Sequence, residues 1–302
     1  MKTISSLLVY VILCYALVAC KKGQSETTSQ QTDSIPTLAT ATTSVDSDKL
    51  QKYSQFLAQL DTTSMASITK AGAEYRELFA TTNTETNDSA YALFRDFHQL
   101  LVMPQQTIMD KDNEKYGQLL YNQGKPTQKV KEHYEEMQKN GFYLGTVEGY
   151  VYLSPLPEYQ KQYVFDKLSP AMQVYFSQKQ KEEMEGTADD GGLLVEPKVL
   201  AERIIFWEDF LTKNPTFRWK NSLEADNRST TYFLINGLDN TPTFSYETKS
   251  LDTSFRTAYR FLIDTHGQTK IGKLITEYYA ILSKTNLKDS PKAQEFRAKV
   301  AM

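Results

Sequence analysis

The stretch Pro197-Lys198-Val199-Leu200-Ala201-Glu202-Arg203-Ile204-Ile205-Phe206-Trp207-Glu208-Asp209-Phe210-Leu211 decides how the chain is read. Leu200, Ile204, Trp207 and Leu211 recur at the 3.6-residue period of an α-helix. Val199, Ile205, Phe206 and Phe210 spread apolar surface around the rest of the cylinder, which predicts a central, buried helix. Proline opens it at the first helical position, and Asn214-Pro215 stops it. Such a helix needs other elements around it, so the flanks settle the fold class.

Those flanks are helical. Upstream, Leu50, Tyr53, Phe56, Leu57 and Leu60 form one stripe, and Met65, Ile68, Tyr75, Leu78 and Phe79 form a second. Leu93, Phe94, Phe97, Leu100 and Leu101 form a third, ended by Pro104. Further helices are predicted through Ile108, Tyr116 and Leu120, and from Pro126 to a stop at Asn140-Gly141. Pro157 opens a short helix, and Ser169-Pro170, a hydroxyl cap followed by proline, opens another that runs to Glu185 and Gly186. After an acidic loop, and beyond the central helix, come helices over 217–235, 252–263 and 269–283, then a polar end expected to fray. The class is all-α, a multi-helix bundle or irregular array of about ten helices.

The segment 142–153 departs from this pattern. Gly145 and Gly149 stand among Tyr143, Val147, Tyr150, Val151 and Tyr152 with no helical period, which predicts a short β-hairpin. The body then divides into an N-terminal helical layer over 47–140 and a C-terminal helical domain over 141–285, or a single unit made of both. Residues 286–302 form a polar tail.

The N-terminus has a different character. Met1-Lys2 carries one positive charge, a mostly apolar run follows from Ile4 to Ala19, and the run closes in Leu17-Val18-Ala19-Cys20. It is shorter than the 20 or so apolar residues of a membrane-spanning helix, and it reads as a cleavable signal over 1–19. Its last four residues resemble the lipobox of bacterial lipoprotein precursors. That resemblance implies cleavage before Cys20, diacylglycerol on its thiol and an acyl chain such as palmitate on its amine, and with these a membrane anchor. Lys21 and Lys22 stand where an inner-membrane retention signal has aspartate, and the acidic run of surface-exported lipoproteins is absent, so the resemblance implies an outer-membrane lipoprotein facing the periplasm. Residues 20–46, rich in Ser, Thr and Gln, have no apolar periodicity and read as a disordered tether. Such a tether spans roughly 25–30 Å as a flexible coil.

Composition removes several functional classes. The 302 residues carry 34 Lys+Arg against 37 Asp+Glu, a net charge of −3 with no basic excess to collect nucleic acid. Cys14 and Cys20 are the only cysteines, so the body has no disulfide, thiolate cluster or thiol nucleophile. His98, His133 and His266 show no metal-ligand spacing, no G-x-S-x-G elbow occurs, and Gly191-Gly192 follows Asp189-Asp190, whose charge repels phosphate. No cofactor or metal is expected. The stretch 141–282 resembles a group of secreted helical bacterial proteins through Gly149-Tyr150, Glu202-Arg203 leading to Trp207-Glu208, and Gly237-Leu238-Asp239-Asn240-Thr241-Pro242 before Phe244. The resemblance implies shared helical architecture and no catalytic residue.

What remains is a lipid-anchored, non-enzymatic binding module of the cell envelope, whose partner is an envelope protein or a glycan. The ligand-binding candidates are Glu148, Tyr150 and Tyr152, because glycines allow close approach there, tyrosines offer faces and hydroxyls, and the carboxylate adds charge. Two alternatives stand beside it. One is a peptidoglycan hydrolase in which Glu148, its pKa raised by burial, pairs with Glu208 or Asp209. The other is a structural subunit of an envelope complex.

Overall fold

The computed structural model of the chain describes residues 43–121 and 124–300, and helices dominate them. The expected signal, Cys20 and the tether up to residue 42 lie outside the described residues. Thirteen helices and three two-stranded hairpins follow in order: α1(Thr43–Gln59), α2(Ser67–Leu78), α3(Thr84–Leu100), α4(Val102–Met109), α5(Asn113–Leu120), α6(Gln128–Lys139), β1(Phe142–Val147), β2(Tyr150–Pro155), α7(Pro157–Val164), α8(Pro170–Glu185), β3(Ala188–Asp189), β4(Gly192–Leu193), α9(Pro197–Lys213), α10(Lys220–Asn236), β5(Gly237–Leu238), β6(Thr241–Pro242), α11(Thr253–His266), α12(Lys270–Ser283) and α13(Pro291–Val300). The first helix thus begins inside the stretch 20–46 read as tether. No helix among the described residues is long and apolar enough to cross a membrane.

Local chemistry explains most boundaries. The Ser169 hydroxyl accepts from the Met172 N–H and Pro170 stands at the first helical position, so α8 starts where both signals place it. Asn83, Thr127, Asp252 and Thr269 cap α3, α6, α11 and α12 in the same way. The third stripe ends ahead of Pro104, as the sequence reading expected, with α3 stopping at Leu100; Pro104 itself lies in the first turn of α4, where its missing N–H costs no helical hydrogen bond.

Two cores form. The first gathers the stripes of α1 to α8, with the buried rings of Tyr53, Tyr75, Phe79 and Phe94 in mutual contact. Their polar ends are satisfied internally: the Tyr53 hydroxyl donates to the Ala71 carbonyl and that of Tyr75 to the Asn87 carbonyl. The second forms around α9, where buried Leu200 and Ile204 meet Leu234, Tyr259, Leu262 and Tyr278 of α10 to α12. Trp207, Phe210 and Leu223 make a small third cluster that touches Tyr175 and Phe217 at the margin of the first core. The central-helix reading of 197–211 holds, with Leu200, Ile204 and Trp207 buried and Leu211 half-buried. The described body forms one compact unit.

Two expectations need correction. The polar tail 286–302 contains α13, because one small apolar face and one ion pair suffice to dock it. Ala293 is buried, Phe296 stacks on Tyr278 with ring centres 4.9 Å apart, and Arg297 bonds Asp289 at 3.0 Å and the Tyr278 hydroxyl at 2.9 Å. The loop 186–192 contains β3 and β4, whose hairpin locks against the β5–β6 hairpin. The Leu193 N–H donates to Thr241 Oγ1 at 2.9 Å and the Asn240 N–H to the Gly191 carbonyl at 2.7 Å.

Candidate functional site

The predicted hairpin is present, with Val147 opposite Tyr150 and Glu148-Gly149 as its two-residue turn. Both turn residues have positive φ, 50° and 77°, the conformation that matches strand twist in a tight hairpin. Alternation along β2 then decides what each side chain does. Val151 and Leu153 point into the first core, while Tyr150 and Tyr152 stand on the outer face, 44% and 36% exposed. The Tyr150 hydroxyl donates to Asp110 Oδ1 at 2.7 Å and accepts from Gln106 Nε2 at 2.9 Å. The Tyr152 ring lies across Gly145, where a Cβ would sit 2.3 Å from it. Glu148 is exposed at the tip, and its backbone N–H donates to Asp189 Oδ1 at 3.3 Å. The acidic turn is thus occupied by backbone N–H groups, those of Glu148 and Asp190.

Glu148, Tyr150 and Tyr152 therefore form an exposed face and tip. The carboxylates once paired with Glu148 lie elsewhere. Glu208 accepts from the Lys270 and Ile271 N–H groups, both at 3.0 Å, and Asp209 is bonded to Lys213. Burial raises the Glu208 pKa, against the opposing pull of those two N–H groups.

Further along β2, the same outer face reaches a cleft of about 510 Å³ where the first core meets α10. Ser154 and Pro155 form one edge of it, and α3, α7, α8 and α10 form the rest. Its aromatic floor is Tyr91, Tyr175, Phe176 and Phe233. Polar side chains rise around the floor; the two cations are ion-paired, and the carboxylates of Glu182 and Glu183 accept hydrogen bonds from neutral groups. Lys179 Nζ lies 2.5 Å from Asp226, and Arg95 pairs with Asp96 at 2.9 Å while its guanidinium stacks 4.0 Å above the Trp219 ring. Glu182 Oε1 accepts from Trp207 Nε1 at 2.8 Å, and Glu183 Oε1 accepts from the Tyr143 hydroxyl at 2.7 Å. Burial pushes the phenols of Tyr91, Tyr175 and Tyr143 above their ordinary range, so they remain hydroxyl donors.

Beneath the floor, a polar chain enters the core. The Tyr91 hydroxyl donates to Gln160 Oε1 at 3.3 Å, and Gln160 Nε2 donates to His98 Nδ1 at 2.9 Å. Burial pulls the His98 pKa down to about 3, so the imidazole is neutral, with its proton on Nε2. That nitrogen has no hydrogen-bond partner, and the ring meets Phe142 edge-on with centres 4.6 Å apart.

The cleft is the part of the site that sequence reading missed. A signal for it exists in α8, where Tyr175, Lys179 and Glu182 follow one row and Phe176, Gln180 and Glu183 the next. Both rings and both carboxylates thereby share one helix face. Among the described residues, no group of three or more His, Cys, Asp and Glu side chains gathers as metal ligands. Comparison with protein-family models, with curated proteins and with solved structures finds no match to this chain, so the functional argument rests on this geometry.

Proposed function

We propose that this chain is a lipid-tethered, non-enzymatic binding module of the bacterial cell envelope, and that the cleft between the first core and α10 takes a neutral glycan segment. The observation that carries the reading is the combination of an aromatic floor with a rim whose two cations are ion-paired and whose other carboxylates, Glu182 and Glu183, already accept hydrogen bonds. A ligand with its own strong charge would have to break those pairs, whereas a sugar ring stacks an apolar face on Tyr175 or Phe233 and hydrogen-bonds along its edge. The planar amide of Gln99 offers donor and acceptor side by side for that edge, and Gln180, whose Nε2 donates to Glu158, adds its carbonyl oxygen. The lipobox and tether would place the module within reach of the cell wall, whose glycan strands have this chemistry. Glu148 supplies no support for the hydrolase alternative, because it is exposed at a turn, apart from Glu208 and Asp209.

The test uses chitotetraose, four linked N-acetylglucosamines, titrated into the protein while fluorescence of Trp207 and Trp219 is followed. Saturable binding is expected, with a Kd below about 1 mM, or roughly −4 kcal/mol. Ser229→Trp should abolish it by filling the cleft from an exposed position on α10. No saturable signal at millimolar sugar would refute the reading. Shortened products by mass spectrometry would replace the binding module with a glycan hydrolase.

A further inference from the structure

The opposite face of α10 closes a second hollow, of about 1020 Å³, whose charges are arranged differently from those of the cleft. One wall is apolar, formed by the half-buried side chains of Ile205, Phe206 and Leu211 on α9. Phe206 also lines an adjoining apolar groove of about 360 Å³ with Pro170, Val174 and Phe210, so apolar surface continues beyond the hollow. The carboxylates around it are each occupied. Glu208 holds the first N–H groups of α12, Asp209 pairs with Lys213 at 2.7 Å, and Glu224 pairs with Lys220 at 4.0 Å. Arg228 and Lys270 line the same hollow; neither forms an ion pair among the described residues, while Lys270 stands near enough to Glu208 to pull its pKa down against the burial that raises it.

We propose that this hollow is a binding site for an amphipathic organic anion. Its acid group sits with Arg228 and Lys270, where two cations outside any ion pair favour negative charge. Its apolar body covers Phe206 and Ile205 and extends toward the groove at Val174. This site is independent of the glycan reading, since α10 stands between the two cavities and they share no lining residue.

The probe is 1-anilinonaphthalene-8-sulfonate, which combines a sulfonate, an N–H donor and an apolar ring system and fluoresces when bound. N-phenyl-1-naphthylamine, the same skeleton without the sulfonate, is the matched neutral probe. The sulfonate probe is expected to bind saturably at one site, about tenfold or more tighter than the neutral one, with an affinity that falls as salt is added. The double variant Arg228→Gln/Lys270→Gln, at two exposed positions, should lose that preference while its circular-dichroism melting curve stays unchanged. Lys139→Gln, at an exposed position on α6 that lines neither cavity, should keep the preference. Equal affinity of the two probes for the unaltered protein overturns the proposal, as does a double variant that still prefers the sulfonate.

Discussion

At the scale of single residues, Glu148 and His98 show how position overrides residue type. A carboxylate beside aromatics suggested burial, yet Glu148 occupies a turn position with φ of 50°, which side chains other than Gly, Asn and Asp rarely adopt. Glu148→Asn should therefore raise unfolding stability by roughly 0.5–1 kcal/mol, because Asn-Gly suits this turn, and denaturant melts would show it. A loss of stability would mean that the Glu148 side chain makes a contact worth more than the relieved strain. His98 is the opposite case, a titratable ring deep in the first core. Its folded pKa of about 3 lies below the ordinary histidine value near ~6.5. The unfolded chain thus binds the proton first on acidification. Its contribution to stability is complete above about pH 6.5 and is lost as pH falls toward the folded value. Between pH 6.5 and 5 the loss should be about 2 kcal/mol, and His98→Gln should flatten that part of the profile. A wild-type profile flat over that interval would contradict the neutral, buried imidazole.

At the scale of elements, α13 illustrates how little apolar surface docks a helix once geometry supplies polar contacts. Ala293, Phe296 and Val300 anchor it in the second core, and Arg297 completes them by bridging Asp289 and Tyr278. Arg297→Met should cost roughly 1–2 kcal/mol, and amide exchange should rise through α13 well before it rises in α9. If exchange rises equally everywhere, α13 is part of the global folding unit instead. Acid should act on the same contact. Burial opposes ionisation of Asp289, but the bonds from Arg297 and Gln294 prevail and hold its pKa below the ordinary carboxylate range. This stabilisation is present above the unfolded pKa near ~4 and is lost as pH falls through the folded value. The β1–β2 hairpin makes the same point differently. Its inner face builds the first core, and its outer face reaches the cleft only at its far end, through Ser154 and Pro155.

At the scale of the whole molecule, the described body is one unit, and the two proposed ligand sites lie on opposite faces of α10. On the lipoprotein reading, attachment to a membrane would rest on Cys20. Cells expressing the full chain should incorporate labelled palmitate at this residue, and Cys20→Ala should remain uncleaved and unlabelled. Two acyl signals anchor stably where one binds only marginally, so the variant should also leave the membrane fraction. Absence of label in the unaltered chain would remove the lipoprotein reading while leaving both cavity proposals standing.

The sequence by itself determined the elements of this protein. Helical period, proline starts, hydroxyl caps and glycine stops are local signals, and they located α8 and α9 and the hairpin at 142–153 because those features act within a few residues of one another. The burial of Leu200, Ile204 and Trp207 was legible for the same reason. Only the tertiary structure decided where ligands can sit. The cleft gathers Tyr91 of α3, Glu183 of α8 and Asp226 of α10, residues far apart along the chain whose meeting depends on how three helices cross. Whether a charge is free or matched was equally out of reach, since Lys179 finds Asp226 and Glu208 finds the start of α12 only after packing. The helical state of the polar C-terminus was hidden too, because its stability comes from Tyr278 and Asp289 rather than from any period of its own.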